Sequence, residues 1–391
     1  MKELHFTQRD IRERRAERNR LFWQGVGAVS REAVLKALEE GLNWEIREQV
    51  RAAWYERSRE RQDWRNGYTD RRLRTRWGEL EKVRVPRSRQ GAYRSILVEK
   101  YSRWGGGFEE LVEEAVMGGL SVRKAEKLLS SWFGQALCSP SALSAVIKKL
   151  TGSVTAFHRR PLSDDFVYLF LDGFSTRIRR AFKRPYTTLV AWGIKADGAT
   201  ELIDFQVTTS EKGIFCLSLL ENLYRRGLTG KSLRLIVSDG AQGFAEAAAW
   251  IYGRVPQQEC TVHRLRNVNK YLKGSKNRKA VLQEAKAVFA ASHKTQALDR
   301  AKRFLQHWET IEPRAVKCFA RNLDASLSFY GQPKELWSRL KSTNPLERVL
   351  REFRRRIRLV DSFPDIPTTE RWLYGIARRL NQQPKNICPS S

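Results

Sequence analysis

Apolar residues change their period along this chain, and each change marks an expected element. Between 108 and about 152 they recur at helical spacing. Leu111, Val112, Ala115 and Val116 share a first face, Ala125, Leu128, Leu129 and Trp132 a second, and Leu143, Val146, Ile147 and Leu150 a third. Gly118-Gly119 separates the first two faces, and Ser139-Pro140 starts the last helix with proline at its first position. From about 164 the period becomes that of strands. Phe166–Leu171 is an unbroken apolar run, Tyr186–Ile194 follows a basic, proline-marked turn, and Ala196-Asp197-Gly198 marks a hairpin to Glu201–Thr208. A helical stretch through Ile214, Leu217, Leu220 and Tyr224 ends at Gly227, Leu233–Val237 forms a fourth strand, and Ala241–Ile251 a small-residue helix. Beyond it, Lys279–Phe289, Gln296–His307 and Pro313–Leu323 return to helical spacing.

This order predicts an α/β fold with a ribonuclease-H-like catalytic core. An all-α insertion interrupts the core, and helical DNA-binding N-terminal domains precede it. The expected segments are a basic helical region over 1–107, a helix-turn-helix-like DNA-binding domain over 108–160 and the first part of the core over 161–264. The insertion follows over 265–338, then the final core helix with a C-terminal tail over 339–391. Three short helices fit a DNA reader, although Phe133 to Cys138 is longer than the usual tight turn, and a plain helical subdomain is the alternative. Residues 1–85 read as arginine-rich helices interleaved with Trp54, Tyr55, Trp64, Tyr68 and Trp77. Asn66-Gly67 is a turn signal, Val83–Arg87 a short extended segment and Arg103–Gly107 a flexible joint. Arginine interleaved with tryptophan suits phosphate gripping and base stacking; a solvated face around a small aromatic core is the plainer account.

Charge narrows the partners. Lysine and arginine number 73 against 43 acidic residues, a formal net charge of +30 spread along the chain. That favours a long polyanion, double-stranded DNA before a membrane surface, with binding that weakens steeply in salt. Cysteines 138, 216, 260, 318 and 388 form no CxxC pair, so a reducing cytosol fits better than a disulfide framework. The amino terminus lacks a signal peptide's apolar core and no run is long enough to span a bilayer, so a cytoplasmic location is expected. No GxxxxGK[ST] loop supports nucleotide hydrolysis.

Three acids carry the candidate chemistry: Asp172, Asp239 and Glu347. Asp172 and Asp239 follow apolar runs, and in the expected core the first and fourth strands are neighbours, which makes the two converge. Carboxylates about 4 Å apart repel by roughly 4 kcal/mol at an effective dielectric of 20, so a site that gathers them must protonate one or bind cations. A lone Asp-Gly is more often only a turn. Glu347 opens a basic helix, where Asn344-Pro345-Leu346-Glu347 also reads as a capping box worth about a kcal/mol. Glu352 is its rival for the third position. Arg348, Arg351, Arg354, Arg355 and Arg356 on that helix, Arg264 and Arg266 after the second acid, and Lys148 and Lys149 are candidate DNA contacts. Cys260-Thr261-Val262-His263 has metal-ligand spacing with no second pair, so zinc and a structural or DNA-positioning role both stand.

Together these segments resemble the Mutator-type transposases of bacterial insertion sequences. The carrying residues are Tyr55-Glu-Arg57 with Arg65-Asn-Gly-Tyr68, Val83-Arg-Val-Pro-Arg87, Leu171-Asp-Gly173, Val237-Ser-Asp-Gly240, Cys260-Thr-Val-His-Arg264-Leu-Arg-Asn267, Ser342–Glu347, and the closing Arg354-Arg-Arg-Ile-Arg358 with Ser362-Phe-Pro364. The resemblance implies an Asp-Asp-Glu triad at Asp172, Asp239 and Glu347, holding two Mg2+ or Mn2+ ions, and a family signature at Cys260 and His263. It implies binding to terminal inverted repeats, cleavage at element ends, and joining of the 3′-hydroxyl to target DNA by a homodimer or higher assembly. A ribonuclease-H-like nuclease that does not join strands, and an inactive DNA-binding regulator, are the alternatives.

Overall fold

The apolar run at Phe166 is unbroken because its strand is buried on both faces, where alternation is lost. In the computed structural model Leu169 and Leu171 enter one core, while Tyr168, Phe170 and Phe174 enter the other. The structure describes residues 8–382, apart from 76, 99–106, 118–119, 121, 134–139, 179–185, 211, 275 and 359–362. It divides into two units, residues 1–148 and 149–391.

In the first unit α1 (Gln8–Val50) precedes a hairpin of β1 (Arg65–Thr75) and β2 (Gly78–Ser88). This corrects the all-helical expectation for 1–85. The strands carry so much arginine that their apolar period is masked, although Leu73, Leu80 and Val83 are buried in one cluster with Leu42 of α1. Asn66-Gly67 is no turn. It lies inside β1, where the pairing register slips between Arg65 and Tyr68 and Gly67 takes φ +69°. Helices α2 (Phe108–Met117), α3 (Val122–Phe133) and α4 (Pro140–Arg159) occupy the expected stretches, and the unit boundary falls within α4. The joint at 103–106 and the turn at 134–138 lie outside the described residues.

The second unit holds β3 (Phe166–Thr176), β4 (Tyr186–Lys195), β5 (Thr200–Thr208), β6 (Leu235–Ser238) and β7 (Gln257–Glu259), in the spatial order β5-β4-β3-β6-β7. β4 runs antiparallel to both neighbours, whereas β6 and β7 run parallel to β3. β7 was not foreseen, because three polar-leaning residues leave no periodic signal. α5 (Gly213–Arg225) and α6 (Gln242–Ile251) contribute to one core with Leu169 and Leu171. The other face is covered from α7 (Thr261–Tyr271), α8 (Arg278–Val288), α9 (Lys294–Trp308), α10 (Pro313–Ala320), the short α11 (Trp337–Leu340), α12 (Asn344–Ile357) and α13 (Ile366–Gln382). The helices expected between 279 and 323 are thus present. Beyond α12 the described residues end in α13, whose Leu373, Ile376 and Ala377 are fully buried, and the expected C-terminal tail past 382 lies outside the described residues. Among the described residues no helix is long and apolar enough to cross a membrane.

Candidate functional site

Parallel pairing of β3 with β6 aligns Leu171 with Ser238, so the next residues, Asp172 and Asp239, lie side by side. Asp172 is not at a strand end: β3 continues to Thr176, and the acid is only 6 % exposed. Its side of the strand is that of Phe170 and Phe174, and Phe174 meets Phe353 of α12 with ring centroids 5.7 Å apart. Asp239 follows β6 directly. Its Oδ1 accepts the Ala241 amide at 2.9 Å, while Asp172 Oδ1 accepts the Gly173 amide at 2.7 Å. Gly240 has a packing reason beyond its turn. It takes φ +86°, and a Cβ there would lie 2.5 Å from Glu259 Cγ.

Burial, and then the charge of Asp239, push Asp172 up to about 7, with the Gly173 amide, His263 and Arg354 opposing. A proton or a cation therefore belongs at this pair near neutral pH. His263 Nε2 lies 3.9 Å from Glu347 Oε1, and His263 feels the charges of both aspartates. The neighbouring Cys260 sulfur chiefly raises His263, against its burial, and Asp172 and Asp239 add to the rise. Glu347 and the two aspartates thus have one neighbour in common, the His263 imidazole, which Glu347 approaches at 3.9 Å and the aspartates influence by their charge. Among the described residues, no three His, Cys, Asp or Glu side chains are gathered closely enough to hold a metal as they stand.

Thr343, not Asn344, is the N-cap of α12, and its side chain makes no capping bond. Glu347 then lies one position past that of a capping box, with its amide bonded to the Thr343 carbonyl at 2.8 Å. The Thr343 amide and hydroxyl instead approach Cys260 Sγ, at 3.3 and 3.5 Å. Cys260 is fully buried at the start of α7, and the Thr261 amide donates to the Lys341 carbonyl at 3.0 Å. Cys260 thus fastens the start of α7 to the start of α12 and holds His263 against Glu347. Glu352, the rival acid, faces Arg355 at 2.9 Å and Arg356 at 3.8 Å.

Two expected DNA contacts turn inward. Arg264 is 2 % exposed. Its guanidinium donates to Ser326 Oγ at 2.6 Å and to the carbonyls of Phe319, Arg321 and Asn322 at 2.7, 2.6 and 3.1 Å, and it pairs with Glu259. A planar fork with five N–H groups suits this knot of carbonyls, and sequence spacing carried no sign of it. Arg356 is only 12 % exposed in its side chain. Arg266, Arg348, Arg351, Arg354, Arg355, Lys148 and Lys149 are all exposed. Glu259, missed in the sequence, is raised by burial and by Asp239, while Arg264 opposes the shift. Its position beside Cys260, at the end of a strand parallel to β6, was the available signal.

The sequence matches the family described as "Transposase, Mutator family" over residues 5–386. It is 32% identical over 348 residues to the transposase for insertion sequence element ISRM5 of Rhizobium meliloti, covering 89% of this chain and 86% of that one. The transposase for IS256 in transposon Tn4001 of Staphylococcus aureus is 30% identical over 341 residues, covering 86% of each chain. Among solved structures, the Drosophila P element transposase strand transfer complex aligns over 75% of this chain and 83% of that one, with 11% identity and a TM-score of 0.30, too slight a likeness to bear on the fold. The match along nearly its whole length places the chain in the Mutator family of transposases, enzymes of the kind that insertion sequences encode.

Proposed function

We propose that this chain binds the terminal inverted repeats of an insertion sequence, cleaves DNA at the element ends and joins each freed 3′-hydroxyl to target DNA. The observation that carries this reading is the β3–β6 pairing, which sets Asp172 beside Asp239, with α12 bringing Glu347 up to the same group through His263. The sheet is read as a ribonuclease-H-like core and 265–338 as an all-α insertion. The support is a five-stranded order in which β4 alone runs antiparallel.

The donor set fits hard divalent cations, because it offers carboxylate oxygens, one of them raised to about 7 by burial and a like charge. Asp172, Asp239 and Glu347 would hold Mg2+ or Mn2+ as two ions, and the chemistry so supplied would be activation of a water or 3′-hydroxyl and neutralisation of the leaving oxygen. The chain's own residues do the positioning. The Gly173 and Ala241 amides each fix one carboxylate oxygen, so the rotation of both acids is set before substrate arrives. Arg354, near enough to lower Asp172, brings positive charge to where a scissile phosphate would lie. Arg348, Arg351 and Arg355 on α12, Arg266 on α7, and Lys148 and Lys149 on α4 would take other phosphates. Cys260 and His263 act as positioning residues at the α7–α12 junction. Joining two ends calls for a homodimer or larger assembly on DNA, acting in the cytoplasm on the nucleoid.

Nicking of a plasmid carrying element ends tests the assignment. Glu347→Gln should retain end binding in a gel shift and lose nicking by about a hundredfold or more. Near-normal nicking by this variant would remove Glu347 from the site. Joining of pre-cleaved ends by the unaltered protein separates a transposase from a nuclease of the same fold, and absence of any metal-dependent nicking would indicate an inactive regulator. Duplex binding should also fall steeply with salt, and Arg351→Ala should lower the log–log slope by about one phosphate contact.

A further inference from the structure

The segment between α1 and β1, together with the start of β1, exposes aromatic rings at a structural cost. Tyr55 is 94% exposed, Trp64 52%, Trp54 44% and Tyr68 37%. Trp54 lies 6.1 Å from Tyr68 with ring planes 29° apart, and 5.8 Å from Tyr55. Arg51 and Tyr55 both hold positive φ, at 55° and 59°, a left-handed conformation that costs energy for any residue with a side chain. The small buried cluster of this unit formed by Ile46, Val50 and Ala52 does not include these rings.

Trp54, Tyr55 and Trp64 line an open groove of about 690 Å³, a size in the range of ligand clefts. Its charged rim is Arg57, Arg59, Arg61 and Arg65 against Glu56, and the Glu56 carboxylate is engaged by the Ala53 amide at 2.6 Å. Arg65 lies 5.3 Å over the Trp54 ring, and its Nε is buried with no hydrogen-bond partner. A cationic rim around aromatic faces selects an anionic ligand with flat rings. A second copy of this chain is disfavoured, since each carries a net charge of +30. Duplex DNA offers phosphates but keeps its base faces stacked away. Unpaired nucleotides offer both groups at once.

We propose that the Trp54–Tyr55–Trp64 groove is a stacking site for unpaired bases of a DNA strand, offered by the exposed Tyr55 and Trp64 rings, with Arg57 and Arg59 taking its phosphates. This site is separate from the acidic pair, and its test needs neither metal nor cleavage, so it stands or falls independently of the catalytic reading.

Fluorescence anisotropy in EDTA, at moderate salt, compares three probes: oligothymidylate, an abasic strand of equal length, and a duplex. Tyr55→Ala and Trp64→Ala should each weaken oligothymidylate binding by about tenfold and leave duplex binding within about twofold. The abasic strand should bind the unaltered protein about tenfold more weakly than oligothymidylate, and the variants should not weaken it further. Tyr55→Phe, which keeps the ring, should bind like the parent, and unchanged thermal melts exclude unfolding. Equal loss for strand and duplex, no loss in either alanine variant, or an abasic strand bound as tightly as oligothymidylate would each overturn the proposal.

Discussion

Replacing Asp172 with asparagine is expected to abolish DNA cleavage, by roughly a thousandfold or more, and to make the metal-free protein harder to melt. Both effects arise from one cause. Asp172 is buried beside Asp239, which raises it from 3.8 to about 7. Because the folded-state value is raised, the group's contribution is fully present below about pH 4, the unfolded value. It is lost as pH rises through about 7. A rise from 3.8 to about 7 corresponds to about 4 kcal/mol, an upper figure for what ionising Asp172 costs the metal-free fold at pH 8. Asparagine has a similar shape and no charge, so it removes that cost along with a cation-binding oxygen. Melting in EDTA should show variant and parent close together at pH 4 and the variant well above at pH 8. Added Mg2+ should raise the parent at pH 8 and leave the variant nearly unmoved. Equal melting of the two proteins at pH 8 in EDTA would mean that the two acids are not close neighbours in solution.

The second large effect is expected at Arg264. Arg264→Ala should destabilise the second unit by about 3–5 kcal/mol, because it strands the half-buried Glu259 and several inward carbonyls. For a unit of this size each kcal/mol moves the melting temperature by about 2–4 °C, so a fall of roughly 10 °C is expected. Arg264→Lys keeps the charge but not the fork, and should recover only part of the loss. Arg266→Ala, two positions on and exposed, should leave the melt unchanged and weaken DNA binding. If Arg264→Ala melted like the parent yet lowered the salt slope of DNA binding, this arginine would be a phosphate contact after all.

The hairpin shows why part of the fold was hidden in the sequence. β1 and β2 bury a few residues on one side and present arginine to water on the other, so their pattern resembles a charged helix face. β7 is three residues long and takes its strand form from pairing with β6, a long-range effect no local window contains. By contrast β3 was plain, because burial on both faces demands an unbroken apolar run. The helices from 278 to 320 were plain too, since each turns one apolar stripe to a common core.

For the site, the sequence alone determined the types and order of the acids, the apolar strands that carry two of them and the basic helix that carries the third. Those are properties of composition and period, which short windows hold in full. Tertiary structure decided which neighbours each group meets. Parallel pairing put Asp172 beside Asp239; Thr343 turned to Cys260 instead of capping with Glu347; Glu352 went to arginines. It also drew Arg264 inside while Arg266 stayed exposed. Spacing fixes the direction of a side chain along its own element, but burial, charge pairing and the filling of hydrogen bonds depend on elements brought together from far along the chain.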